Sequence, residues 1–181
     1  CMAQENAEYQ NGENKESFVN FIKKYGASDI LDCVNYITLY YKYTKIFNSK
    51  GFFINGILSN GCVYTLPEIN EIFAKVNFST ISSKKKDNHR LASQLWFYRN
   101  KIVHEHNSIS YDVSDNTSWI PDNVPYFYSL SNNWVFCIPT RFIKELTIRC
   151  LGNYLHYCEE RNQDPFKNNN RNRSIYLSWS N

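Results

Sequence analysis

Apolar residues recur along this chain at two periods, about 3.6 residues over most of its length and about 2 in one later stretch. Phe18, Phe21, Ile22 and Tyr25 stand at helical spacing, and Gly26 is expected to end that first helix. Ser28 is placed as an N-cap, with Asp29 and Asp32 in the positive first turn. Ile30, Val34, Ile37 and Tyr41 continue as a stripe, which predicts one long amphipathic helix ending near Phe47. Residues 48–64 hold Gly51, Gly56 and Gly61 and read as a loop with at most one short element. Thr65-Leu66-Pro67-Glu68 has the form of a capping box, and Ile69, Ile72, Phe73 and Val76 give the helix behind it a buried face.

A polar linker from Ser79 to Asp87 leads into a long helix predicted from Asn88 to His106, with Leu91, Leu95, Tyr98 and Ile102 as its stripe. Residues 107–123 are rich in Ser, Asp, Asn and Pro and read as a loop. The period then changes: Val124–Leu130 and Trp134–Ile138, joined by Ser131-Asn132-Asn133, predict a β-hairpin at about 124–138. A last helix is expected from Thr140, with Ile143, Leu146, Cys150, Tyr154 and Tyr157 as its stripe. The reading is mainly α: residues 1–14 form a flexible N-terminal segment, 15–161 one helical domain, and 162–181 an Asn-rich basic tail in which Ser174–Trp179 could add an edge strand.

Composition narrows the class. With 181 residues the chain suits one domain that needs no staple to fold. Hydrophobic residues make up 43% and charged residues 20%, which excludes a disordered chain. The 14 Tyr, 12 Phe and 4 Trp require a core or interface built on rings. None of the six Cys forms a C-x-x-C pair, and no Cys/His cluster has zinc-ligand spacing, so no metal and no cofactor is expected. Cys33, Cys137, Cys150 and Cys158 read as small buried hydrophobes, and free thiols suit a reducing cytoplasm. Residues 2–17 are polar and acidic, so no signal peptide is expected, and Met2 reads as the natural start with Cys1 as an added residue. No apolar stretch approaches the ~20 residues that span a bilayer.

The net charge of +3 is small, but it is clustered: Lys84-Lys85-Lys86 with Arg90 form one group, and Lys167, Arg171 and Arg173 another. Each is either a phosphate-binding patch or a solvated surface. The long helix at 88–106 is more specific. Asn100 and His104 stack on one face, nearly opposite the apolar stripe, with Trp96 and Phe97 beside them and Arg99 at the boundary. A second face of that kind suits a packing partner, most simply another copy of the chain.

The run Arg99-Asn100-Lys101-Ile102-Val103-His104 resembles the R-x-x-x-x-H motif of the HEPN superfamily, in which an Arg, a polar residue that is often Asn, and a His fall late in a long helix. The resemblance covers mainly residues 88–106. It implies a bundle of four to five helices, with the hairpin as an insertion before the last long helix. It also implies homodimers through the motif helix and RNA cleavage without metal, in some members as toxins or antiphage effectors, with an antitoxin or regulatory protein as a candidate partner. Arg99, Asn100 and His104 are then the catalytic set, and Lys101, Arg90, Lys84, Lys85 and Lys86 would bind substrate phosphates. One departure is His106, which stands where toxins paired with nucleotidyltransferase antitoxins often carry Tyr, so silencing by nucleotide addition there is not expected.

The chemistry is self-consistent. RNA carries its own nucleophile, the 2′-hydroxyl, so the protein need only move protons and stabilise charge. A His with an ordinary pKa of ~6.5 can be acid or base near neutrality, and the Arg fork matches phosphate oxygens. The alternative is a non-catalytic HEPN-like module that binds RNA or a protein through the same face, with the motif holding the dimer together; for Arg99 taken alone, a pair with Glu105 or another acid is the plain reading. A metal-dependent hydrolase is disfavoured by the lack of a ligand set. His89 and His156 read as surface or core-edge histidines.

Overall fold

The computed structural model describes residues 14–74, 81–105, 121–130 and 133–165, and of residues 14, 100–105 and 130 the backbone alone. The chain is mainly helical with a small three-stranded antiparallel sheet. Among the described residues the helices are α1 (Asn14–Gly26), α2 (Tyr36–Lys42), α3 (Thr44–Asn48), α4 (Leu66–Ala74), α5 (Ser83–Asp87), α6 (Leu91–Glu105) and α7 (Thr140–Glu160). Two 3-10 turns, Asp29–Asp32 and Ile54–Gly56, and the strands β1 (Val63–Thr65), β2 (Tyr126–Leu130) and β3 (Asn133–Cys137) complete the described elements. No described helix is long and apolar enough to cross a membrane. The described residues fall into two compact units, and α7 contributes to both.

The first unit pairs α1 with residues 146–160 of α7. Every fourth residue of this part of α7 is buried (Leu146, Cys150, Tyr154, Cys158), which is the stripe a helix needs to lie along one partner. Phe21, Ile22 and Tyr25 fill the α1 side, and Tyr25 meets Tyr154 edge-on at 5.3 Å. Asn153 Nδ2 donates to the Tyr25 carbonyl at 2.7 Å, satisfying one of the orphan acceptors at the end of α1. Gly26 stays helical here, and Ala27 takes the left-handed turn at φ 41°.

The second unit, Ser28–Glu145, buries Leu31, Ile37, Leu39, Leu66, Ile69, Phe73, Leu91 and Phe127 almost completely. The long helix expected from 28 to 47 is broken into a 3-10 turn, α2 and α3. The cause is tertiary. Around Cys33–Asn35 the backbone turns its polar groups sideways: Val34 N–H donates to Asn70 Oδ1, Asn70 Nδ2 donates back to the Val34 carbonyl (both 2.8 Å), and Asn35 N–H donates to the His89 carbonyl at 2.8 Å. Leu91 N–H closes the opposite side on the Cys33 carbonyl at 2.9 Å. These bonds replace the intrahelical ladder, and Asn35 then caps α2 by accepting from Thr38 N–H at 3.0 Å. The same bridge, Val34 against Arg90, makes α6 start at Leu91 instead of Asn88.

The hairpin forms within the predicted span, with Tyr126 opposite Cys137 and Phe127 opposite Phe136. The sequence reading missed β1, which pairs with β2 through Val63–Tyr128 and Thr65–Tyr126. The capping box does form: Thr65 N–H donates to Glu68 Oε2 at 2.7 Å, and Glu68 N–H donates back to Thr65 Oγ1 at 3.4 Å. The expected linker at 79–87 contains α5. Val76, the loop at 107–120 and the tail from 166 lie outside the described residues.

Candidate functional site

Helix α6 carries the run on which the sequence reading centres. Leu91, Ala92 and Leu95 face the core, and the Tyr98 ring lies 6.4 Å from Phe136 of β3, which fixes the helix against the sheet. Burial, with a smaller push from Cys137, raises the Tyr98 phenol above its ordinary pKa and keeps it neutral. On the opposite side Ser93 is buried, one turn before Phe97. Phe97 is 50% exposed, and the Arg99 guanidinium lies 5.3 Å from the centre of the Trp96 ring, one helical turn earlier. The helix runs unbroken to Glu105, so Asn100 and His104 stand one turn apart on its backbone. The side chains of Asn100, Lys101 and His104 lie outside the described residues.

The basic residues expected to bind substrate sit at the other end. Lys84, Lys85 and Lys86 are on α5, which precedes α6, and from Leu91 to His104 the helix advances ~20 Å. The structure therefore separates the two groups that the sequence reading combined. Arg90 is held between them in a clamp: Nε donates to Asp87 Oδ1 at 2.9 Å, and Nη1 donates to the Asp32 carbonyl with the Asp32 carboxylate 3.9 Å away. It ties the start of α6 to the 3-10 turn.

Beside this clamp lies a polar cluster that the sequence reading did not identify. Asn35, fully buried, donates from Nδ2 to Gln94 Oε1 at 2.9 Å, and Gln94 Nε2 donates to Thr38 Oγ1 at 3.1 Å. The Thr38 hydroxyl donates to the Asn35 carbonyl at 3.0 Å, and His89 Nδ1 lies 2.9 Å from the same hydroxyl oxygen. His89 is 8% exposed and belongs to the core, whereas His156 is exposed and pairs with Glu160 at 3.3 Å. The available signal was a set of polar residues, Asn35, Thr38 and Gln94, on otherwise apolar helix faces.

Cys33, Cys62, Cys137, Cys150 and Cys158 are all free thiols. Cys150 and Cys158 are buried as expected, while Cys33 and Cys137 are half-buried. Burial pushes the Cys33 thiol up, and Asp32 and Asp29 push it further against the pull of Arg90, so it is not an activated nucleophile. Among the described residues no group of three or more His, Cys, Asp or Glu is placed to hold a metal ion. No protein-family model, no curated protein and no solved structure matches the chain.

Proposed function

We propose that this chain is a metal-independent endoribonuclease of the HEPN type, working in the cytoplasm as a homodimer through α6, with Arg99, Asn100 and His104 as its catalytic set. A role as a toxin or antiphage effector, held in check by an antitoxin or regulatory protein, belongs to the same reading. The observation that carries it is the half-exposed Phe97 ring beside Arg99 on α6. An unbroken helix bears the Arg99–His104 run, with Arg99 laid on Trp96 next to a half-exposed Phe97. An apolar ring beside a positioned guanidinium suits a surface that meets a second copy and a phosphate.

In the proposed reaction the RNA 2′-oxygen attacks the adjacent phosphorus while His104 of one copy takes its proton. The bond to the 5′-oxygen breaks, and His104 of the partner copy gives that oxygen a proton. The products are a 2′,3′-cyclic phosphate and a 5′-hydroxyl. Arg99 neutralises the crowded phosphorane, and Asn100 orients the imidazole or holds a phosphate oxygen. DNA, lacking the 2′-hydroxyl, is not cleaved.

Purified protein incubated with mixed RNAs in EDTA tests this. His104→Ala is expected to lower the rate about 10²–10⁴-fold, as loss of a proton-transfer group does, and Arg99→Ala about 10²–10³-fold, both with dimerisation kept. One neutral and one protonated His require a bell-shaped dependence of kcat/KM on pH. A rate that is flat from acid to alkaline pH overturns the acid–base assignment. A stable dimer that cleaves no RNA means the module without catalysis.

A further inference from the structure

We infer that the surface around Tyr43 is a docking site for the phosphodiester backbone of RNA, set apart from the Arg99–His104 run at the far end of α6. Tyr43 is the platform. It ends α2, its N–H donates to the Leu39 and Tyr40 carbonyls at 3.1 Å, and its ring stands edge-on to the buried His89 at 6.4 Å. Two ammonium groups from different elements lie over this ring: Lys85 Nζ of α5 at 4.9 Å and Lys42 Nζ of α2 at 5.9 Å. Lys42, Lys45, Lys84 and Lys85 are exposed, and none forms an ion pair among the described residues.

The charge around the platform is unbalanced for a structural reason. Asp87 and Asp32 are the carboxylates nearest to these lysines in the chain, and Arg90 engages both. Between Asp32 and Glu68 the sequence has no acidic residue but has Lys42, Lys45 and Lys50. Like charges gathered on one ring repel each other, and an anion laid across them relieves that repulsion. The lysines are exposed and come from separate elements, with no enclosed cradle, so the geometry suits an extended polyanion better than a single phosphate. The choice of RNA rests on the proposed function. A strand spanning the ~20 Å of α6 would touch both ends at once, whereas a dinucleotide would not.

The test uses the full chain, a fluorescein-labelled 20-nucleotide RNA and the same sequence as DNA, with anisotropy followed against salt. The wild type is expected to bind both, because the platform contacts backbone. Lys42→Ala/Lys45→Ala/Lys85→Ala, its fold checked by circular dichroism, is expected to lower the salt slope by about 2 and the affinity about 10²-fold at 0.1 M salt, from ~0.7 per single-strand phosphate contact. On long RNA, kcat/KM is expected to fall with affinity. Unchanged affinity and slope overturn the docking site and leave the nuclease standing. Loss of binding in the variant of a protein that cleaves nothing supports the docking site and overturns the nuclease. Competition by polyglutamate as effective as by RNA overturns the choice of RNA and assigns the surface to an acidic protein.

Discussion

One backbone N–H sets the direction of the buried polar network. Thr38 N–H can only donate, so it fixes Asn35 Oδ1 as its acceptor, which turns Asn35 Nδ2 towards Gln94 Oε1 and Gln94 Nε2 towards Thr38 Oγ1. Every member is then satisfied inside a core where an orphaned polar atom is costly. Asn35→Ala removes the α2 cap and leaves Thr38 N–H and Gln94 Oε1 without partners. The lost cap, which is the Thr38 N–H bond, costs about 1 kcal/mol, and the stranded Gln94 Oε1 about 1–3 kcal/mol. The variant is therefore expected to lose about 2–4 kcal/mol, read as a lower urea midpoint at an unchanged slope. A loss below about 0.5 kcal/mol would mean that water replaces the amide and that the network does not hold α2 to α6.

At the scale of elements, the β2–β3 pair shows how packing becomes pH dependence. Tyr126 and Cys137 face each other across the ladder. Burial raises the Cys137 thiol, which the Tyr126 hydroxyl partly offsets, and burial together with Cys137 pushes the Tyr126 phenol up to about 12. Both are acids whose folded pKa exceeds the unfolded value, so the folded state holds their protons more tightly. Their contribution is complete below the ordinary thiol pKa of 9.0 and is lost as pH rises above it, the thiol first and the phenol towards 12. The urea midpoint is expected to be level from pH 7 to 8.5 and to fall by pH 10.5, with a smaller fall in Cys137→Ala. A midpoint that rises with alkali reverses the sign of this account. The elements also show what a sequence can reveal. The α4 capping box was legible because Thr65 and Glu68 are neighbours and exchange bonds locally. The break at Cys33–Asn35 was not, because its cause is Asn70, 36 residues away, and His89. β1 is three residues long and exists because β2 pairs with it, so it leaves no periodicity to read. The Arg99–His104 run was legible as a run on one helix, whereas the Tyr43 platform depends on the fold bringing α2 and α5 together.

For the whole molecule, the decisive question is what meets α6 at Phe97. A two-histidine mechanism needs the helix of a second copy there, since one chain supplies one run. Phe97 reports on that contact. Its ring is half exposed, so a dimer through α6 would remove roughly 100 Å² of apolar surface from water on each copy. At about 25 cal/mol per Å² this is ~2.5 kcal/mol per copy, before the cost of association. Phe97→Ser also removes the half of the ring that is buried in the isolated chain, so its cost to the chain's own stability is read separately from the urea midpoint. It is expected to weaken the dimer by at least about 10²-fold, and RNA cleavage should fall with dimer population instead of with protein concentration. Sedimentation equilibrium and cleavage measured over one dilution series separate the cases. If Phe97→Ser dimerises like the wild type, α6 is not the interface. If the wild type cleaves RNA at concentrations where it is wholly monomeric, one histidine suffices and the paired acid and base must be abandoned.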